Sequence, residues 1–264
     1  MAAGCGMLIG MSAPKNLLLL HGFTGSGAGW GPVVEALGDG YRALTPDLRG
    51  HGLASDRRPV ELELVLEDLA QELTAAAIPE DQRLTLCGYS QGGRIALHAA
   101  LDPRFSAQID HLVLISASPG LRTAAERATR RQADERLAAE FERLTITELA
   151  ARWAATPILG GITPEHALQA HRERLRSTPT GLAAALRGLG TGALPSLWER
   201  LPQLTMPTTL IAGERDLKFR EINRQMAELI GEVSTQVVPG TGHAVQLEQP
   251  LAVARLLRSS SSSR

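Results

Sequence analysis

The sequence predicts an α/β fold in which a mostly parallel, twisted sheet carries helices on both of its faces. Short apolar runs alternate along the chain with segments whose leucines or alanines recur at helical spacing. Most of these runs are continuously apolar, which is typical of parallel strands buried on both faces. The chain has 264 residues, of which 44% are hydrophobic and 21% are charged, and this suits one large globular domain.

Each predicted element follows from one local pattern. The predicted strands are the runs at residues 17–20, 41–44, 84–87, 112–115, 208–212 and 236–238. Helices are indicated between them, by leucines recurring through residues 62–73 and by apolar residues recurring through 95–100. Because ligands of such sheets bind beyond the carboxyl ends of the strands, the residues that follow each run are the first candidates for a site.

The domain organisation is predicted from the segment between the fourth and fifth runs. Residues 120–201 contain no β-like run, and their apolar residues recur at helical spacing. We therefore expect a core of residues 14–119 and 202–258 with a helical cap, residues 120–201, inserted after the fourth strand. Residues 1–13 are expected to be a flexible N-terminus, and the serine-rich residues 259–264 a disordered tail.

Composition excludes several classes of protein. A net charge of −1 gives no reason to expect a nucleic acid or an anionic membrane as partner. No apolar stretch reaches the roughly 20 residues of a membrane helix, and residues 1–13 lack the basic region of a signal peptide. Two cysteines, Cys5 and Cys87, do not indicate a disulfide framework, and Cys87 reads as a core residue. We expect a cytoplasmic monomer or small homo-oligomer with no metal and no cofactor, since zinc-ligand spacings are absent.

A nucleophile elbow is predicted at residues 88–92, Gly-Tyr-Ser-Gln-Gly, which follow the third run and open a helix. In such a G-x-S-x-G turn, small residues allow a strand to bend sharply into a helix and expose the serine, here Ser90. The helix N-terminus then stabilises an anionic intermediate beside the serine. By itself the motif is weak evidence, because an ordinary glycine-rich strand-to-helix turn has the same pattern, so its context decides.

The context is an acid and a histidine that follow the fifth and sixth runs. A serine hydroxyl needs an imidazole within hydrogen-bond reach, and the imidazole needs a carboxylate that fixes its tautomer. Asp216 and His243 stand in the order serine, acid, histidine, and Glu214 is the rival acid.

An oxyanion hole is predicted after the first run, where His21 begins a glycine-rich loop. The backbone N–H groups of Phe23 and Gln91 are its expected donors, each worth roughly 3 kcal/mol in the transition state. The alternative is a plain glycine-rich loop. The turn at residues 47–52 is read as structural, with no chemistry assigned to His51.

Together, these loops resemble the α/β-hydrolase superfamily over residues 17–257, which implies the fold described above. The predicted cap contains twelve arginines, nine acidic residues and no lysine. Arg94 lies one helical turn after Ser90, and such a buried cation needs an anion. That anion is either a structural carboxylate or a substrate carboxylate.

A closer resemblance rests on residues 89–94 (Tyr-Ser-Gln-Gly-Gly-Arg), 21–27, 116–122 (Ser-Ala-Ser-Pro-Gly-Leu-Arg), 126–134 and 213–219. They are similar to the family of 2-succinyl-6-hydroxy-2,4-cyclohexadiene-1-carboxylate synthases of menaquinone biosynthesis. The resemblance implies a lyase that removes a proton from a polycarboxylate and expels pyruvate.

Carried over by position, the resemblance makes Ser90, with His243 and Asp216, the base that starts the elimination. It also implies a set of substrate-binding residues, namely Arg94, Arg130, Arg176, Tyr89 and Trp153. Two features depart from the family: Gln91 stands where methionine is commoner, and Arg131 beside Arg130 leaves the choice of arginine open by one residue.

Two other functions remain open from the sequence. A carboxylesterase or C–C bond hydrolase would use the same three residues for acyl transfer and would tolerate the loss of Arg130 and Arg176. A non-catalytic ligand receptor on the same fold would bind its ligand without multiple turnovers.

Overall fold

A computed structural model describes residues 14–79, 81–156 and 162–260. Within them, six strands form one sheet of parallel neighbours in the order β2-β1-β3-β4-β5-β6. The strands are β1 (Lys15–Leu20), β2 (Tyr41–Leu44), β3 (Leu84–Tyr89), β4 (Ile109–Ile115), β5 (Thr208–Gly213) and β6 (Val233–Val238). All six predicted runs are therefore strands, and the predicted α/β class is confirmed.

Helices follow the strands along the chain. Those in the described residues are α1 (Gly31–Leu37), α2 (Leu62–Ala75), α3 (Gln91–Ala100), α4 (Pro103–Ser106), α5 (Ala124–Phe141), α6 (Ile146–Ala154), α7 (Pro164–Arg174), α8 (Pro179–Leu189), α9 (Leu217–Ala227), α10 (Val245–Glu248) and α11 (Pro250–Ser260). None of them is long and apolar enough to cross a membrane. The expected flexible residues 1–13 and the tail residues 261–264 lie outside the described residues, whereas Ser259 and Ser260 end α11 instead of belonging to a tail.

The sheet has an apolar core on each face because successive side chains of a strand point to opposite sides. On β1, Leu18 and Leu20 enter the core that α2, α3 and α9 cover, whereas Leu17 and Leu19 enter the core that α1 and α11 cover. All four leucines are at most 2% exposed. Burying each contributes roughly 1.5–3 kcal/mol, so the polar loops at the strand ends rest on a rigid base.

In the described residues between β4 and β5 there are four α-helices, α5 to α8, and we call residues 124–189 the helical insertion. A threonine caps the start of each helix through its side-chain oxygen, and the four are Thr123, Thr145, Thr163 and Thr178. Each cap satisfies a backbone N–H that the helix leaves unpaired, at roughly 1 kcal/mol. The insertion has its own small core around Phe141 and Leu149, which Phe23 and Trp153 border. The division into a core and a cap of residues 120–201 stays a prediction.

The last strand departs from the expectation of burial on both faces. β6 begins at Val233, and residues 234–237 are exposed. The reason is topological, because β6 is the edge of the sheet and pairs with β5 alone. Of residues 236–238, which were predicted as a buried strand, only Val238 is therefore buried.

Candidate active site

Ser90 stands at the tight turn between β3 and α3. Its φ is 51°, a left-handed conformation that costs energy for a residue with a side chain. The turn is possible because its glycines approach neighbouring backbone closely. A Cβ on Gly92 would lie 2.3 Å from the carbonyl oxygen of Leu20. The backbone N–H of Ser90 donates to the carbonyl of Ile115 at 2.9 Å, which fixes the elbow to β4.

The three residues predicted as a triad form one hydrogen-bonded chain. The Nδ1–H of His243 donates to Oδ2 of Asp216 at 2.8 Å. With Nδ1 protonated, Nε2 accepts the hydroxyl proton of Ser90 at 3.1 Å. The rival acid Glu214 faces elsewhere, since its Oε2 accepts the N–H of Gly240 at 2.9 Å. The geometry can therefore move a proton from Ser90 to His243 beside a fixed carboxylate.

A buried carboxylate ties the loops of the acid and the histidine together. Both oxygens of Glu248 accept the backbone N–H of Gly242, at 2.9 and 3.0 Å. One of them also pairs with the Arg215 guanidinium at 2.8 Å. Gly242 precedes His243 and Arg215 precedes Asp216, so one side chain fixes the backbone next to both partners.

The hydroxyl of Ser90 opens into a cleft between the sheet and the helical insertion. Its floor comes from the loop after β1, the elbow and the loop of His243. Its far wall comes from the insertion and its border, with Trp153, Ile162, Ala170, Glu173 and Arg174. Of the predicted residues, Tyr89, Phe23 and Trp153 line this cleft together with Ser90 and His243.

Aromatic contacts hold the loop of the predicted oxyanion hole. The Phe23 ring meets Trp153 edge-on with 4.9 Å between centroids, and it meets His51 at 5.7 Å. Gln91, the other predicted donor, begins α3, and its side-chain amide donates to the carbonyl of Leu189 at 3.4 Å. The loop after β1 and the first turn of α3 are thus both fastened to neighbouring helices.

The two histidines of these loops are structural. His21 donates from Nδ1 to the carbonyl of Gly22 at 2.9 Å and accepts the N–H of Leu48 at Nε2, which makes it neutral. Burial lowers the pKa of His21, and burial together with the neighbouring His21 lowers the pKa of His51 to about 3. The interpretation of His51 as non-catalytic agrees with this environment.

The three predicted arginines differ in burial and in partners. Arg94 is half-buried, and burial and then Arg130 lower its pKa to about 10, while Asp134 opposes the change. Nε of Arg130 pairs with the buried Asp134 at 2.7 Å. The exposed Arg176, like Arg94 and Arg130, is not among the described residues that line the cleft. The Nε atom of Arg94 is buried without a hydrogen-bond partner in the described part of the chain, so its assignment as a structural or a substrate-binding cation stays a prediction.

The cleft instead contains an arginine that sequence reasoning missed, Arg174. Its side chain is only 4% exposed, and its Nε and Nη1 atoms have no hydrogen-bond partner among the described residues. Burial lowers the pKa of this guanidinium. The signal that could have found it is its i, i+4 spacing from Ala170, since both face the cleft from α7.

Other reactive groups near the site are held inactive. Burial raises the pKa of the Tyr89 hydroxyl and of the Cys87 thiol, so both stay protonated at neutral pH. In the described ranges no cluster of three or more His, Cys, Asp or Glu side chains could hold a metal ion.

Comparison with known proteins places this geometry in a family. The model of the Alpha/beta hydrolase family matches residues 17–256. The chain is 32% identical to the putative 2-succinyl-6-hydroxy-2,4-cyclohexadiene-1-carboxylate synthase of Bacillus subtilis (strain 168), covering 94% of this chain and 90% of that one. It is 33% identical to the synthase of the same name from Salmonella heidelberg (strain SL476), covering 94% and 96%.

Solved structures give the same result. MenH from S. aureus superposes with a TM-score of 0.87 at 31% identity, over 94% of this chain and 93% of that one. A thermophilic esterase from Thermogutta terrifontis, solved with malate bound, gives a TM-score of 0.79 at 26% identity, over 94% and 89%.

Proposed function

Because this chain belongs to the alpha/beta hydrolase family and the two curated relatives named above are synthases of one product, we propose that it catalyses their reaction. The substrate is 2-succinyl-5-enolpyruvyl-6-hydroxy-3-cyclohexene-1-carboxylate, and the products are pyruvate and 2-succinyl-6-hydroxy-2,4-cyclohexadiene-1-carboxylate. The protein is then a carbon–oxygen lyase of menaquinone biosynthesis on a hydrolase fold.

The observation that carries this proposal is the buried Arg174 in the cleft of Ser90. A guanidinium that is 4% exposed and whose Nε and Nη1 atoms lack a partner among the described residues is costly until an anion binds. Arginine holds a carboxylate through two parallel hydrogen bonds. The cleft therefore favours an acidic substrate, whereas a neutral ester would leave the guanidinium unpaired.

The reaction follows from the structures of substrate and product. A base removes the proton from C2, which is acidic because the succinyl ketone stands beside it. The C2–H electrons form the C2=C3 bond, the C3=C4 bond moves to C4=C5, and the C5–O bond breaks. The departing enolpyruvate takes up a proton and becomes pyruvate, so no oxidant, reductant or metal is needed.

The residues of the cleft have the chemistry that each step requires. His243 accepts the Ser90 proton while Asp216 holds its tautomer, so Ser90 Oγ is activated to take the C2 proton. Negative charge then develops on the ketone oxygen, where the backbone N–H groups of Phe23 and Gln91 are the proposed donors. Tyr89 and Trp153 supply apolar walls for the ring.

Acyl transfer is the competing function, and the arrangement of Ser90, His243 and Asp216 supports it as well. The same serine and histidine arrangement hydrolyses esters, and a similar structure is an esterase. The two functions differ in what they require of the arginine, because hydrolysis of a neutral ester does not use an anion site.

The test compares Arg174→Ala with a matched control, Arg176→Ala, two residues away on the surface. We expect Arg174→Ala to lower kcat/KM for pyruvate release roughly 10- to 100-fold, the value of a charged hydrogen bond. Cleavage of a neutral p-nitrophenyl ester should stay within about twofold, and Arg176→Ala should change neither rate. Equal losses of both reactions in Arg174→Ala would contradict the proposal.

A further inference from the structure

We infer that Glu173 and Arg174 together form a subsite for a carboxylate and a hydroxyl carried on neighbouring carbons, with Glu173 as the hydroxyl acceptor. The identity of the natural ligand rests on the proposed function, whereas the subsite itself rests on the geometry below. Glu173 then determines specificity and takes no part in the bond-breaking steps.

Glu173 is an acidic side chain held in place on the wall of an acid-binding cleft. It lines the cleft from α7, and the hydroxyl of Ser26 donates to its Oε2. Ser26 is fully buried, with 0% exposure, so this contact is shielded from solvent. The short helical turn that contains Gly29 packs against Glu173, since a Cβ on Gly29 would lie 3.8 Å from Cγ of Glu173. The carboxylate is thus oriented before any ligand arrives.

Two hydrogen-bond donors line the same cleft as this acceptor. Arg174 follows it directly and turns unpartnered N–H groups toward the same cleft. The indole Nε1–H of Trp30, another cleft residue, is also buried without a partner among the described residues. A carboxylate is an acceptor only, so Glu173 requires a donor on the ligand, while the two neighbouring groups require acceptors.

A site for carboxylates alone would not place a negative side chain on its wall, because like charges repel. Consecutive helix residues point about 100° apart, yet Glu173 and Arg174 both line the cleft, so one ligand that fills it reaches both. A ligand with a hydroxyl and a carboxylate on neighbouring carbons supplies the donor and the anion together. Free carboxylates without the hydroxyl leave the Glu173 oxygen facing an anion.

The proposed substrate carries this group, since its hydroxyl is on C6 and its carboxylate is on the neighbouring carbon, C1. The elimination changes bonds from C2 to C5 and leaves C1 and C6 as they were. A contact to that corner therefore holds the ring through the reaction without being consumed. It also distinguishes the substrate from analogues that lack the hydroxyl, because an unpaired polar group is left behind.

The test uses two probes that differ by one hydroxyl, malate and succinate, with dissociation constants measured by calorimetry on the whole protein. We expect malate to bind at least about tenfold more tightly than succinate, as a hydrogen bond to a charged acceptor gives. Glu173→Ala should remove this preference, and Ser26→Ala should weaken it by freeing the carboxylate. The control is Glu165→Ala, an exposed acid on the same helix, which should keep the preference.

Equal affinities for malate and succinate, binding of neither, or a malate preference that survives Glu173→Ala would each overturn the subsite. The assay also separates this inference from the proposed function. Pyruvate release without a malate preference removes the subsite alone. A malate preference that Glu173→Ala abolishes, in a protein that releases no pyruvate, keeps the subsite and removes the lyase.

Discussion

Glu248 accepts the backbone N–H of Gly242 with both carboxylate oxygens, at 2.9 and 3.0 Å. The same side chain is 8% exposed and pairs with Arg215, so the peptides before His243 and Asp216 share one anchor. The 2.8 Å contact between His243 and Asp216 depends on two loops that end different strands. A fixed carboxylate between those loops keeps that distance short.

We predict that Glu248→Gln lowers kcat about tenfold and leaves KM nearly unchanged, because the amide replaces one acceptor by a donor and loses the Arg215 pair. Labelling of Ser90 by a fluorophosphonate should slow by a similar factor, since it reports the activation of the hydroxyl. Arg215→Ala keeps the Gly242 contacts and should have a smaller effect. A change in unfolding free energy with an unchanged kcat would show that Glu248 is structural only.

Asp134 balances two cations, so its charge should matter for stability. It is 4% exposed, pairs with Arg130 and favours the charged form of Arg94. We predict that Asp134→Asn lowers the free energy of unfolding by about 1–2 kcal/mol, because the carboxylate is buried while solvent screens the paired Arg130, whose side chain is 46% exposed. Urea unfolding measures this, with Glu135→Gln, a change at an exposed acid, as the control that should have a clearly smaller effect.

The variants Asp134→Asn and Arg94→Ala together distinguish a structural Arg94 from one that binds the substrate. If Asp134→Asn is as stable as the parent and Arg94→Ala raises KM alone, then Arg94 binds substrate as the family resemblance implies. A loss of stability in both variants agrees with a structural Arg94.

Buried neutral histidines should make the fold sensitive to acid. Burial is the main cause of the fall in the His51 pKa from 6.5 to about 3, so the unfolded chain binds a proton that the folded protein refuses. Stability is therefore complete above pH 6.5 and falls as the pH drops toward 3. We predict that His51→Gln reduces this fall by about 1.4 kcal/mol per pH unit. Urea titrations at pH 7, 6 and 5 give the free energy of unfolding of both proteins. If that free energy depends on pH equally in the parent and in His51→Gln, the assignment is contradicted.

The strands and the serine, acid and histidine order were predictable because they are encoded locally. A buried parallel strand needs a continuous apolar run, as in β3, and a sharp elbow needs glycines beside Ser90. Each polar loop follows its strand in sequence, and because the strands are parallel, all the loops lie at the carboxyl ends of the strands. Asp216 was favoured over Glu214 on the same basis, and the 2.8 Å contact to His243 agrees.

The arginines were not predictable because their directions depend on how the insertion packs. Arg174 and Arg176 are two residues apart on the chain, so they leave the end of α7 in different directions. Only the packing of α7 against the turn after β1 decides that Arg174 enters the cleft. Likewise, the exposure of β6 follows from its place at the sheet edge, which its own residues do not specify.

The most direct test of the central claim is pyruvate release from the enolpyruvyl substrate, generated in situ by the preceding enzyme of the pathway, beside cleavage of a neutral p-nitrophenyl ester. We predict fast pyruvate release, negligible ester cleavage, and a loss of pyruvate release of about a thousandfold in Ser90→Ala. Fast ester cleavage without pyruvate above background, or full pyruvate release by Ser90→Ala, would contradict the lyase mechanism.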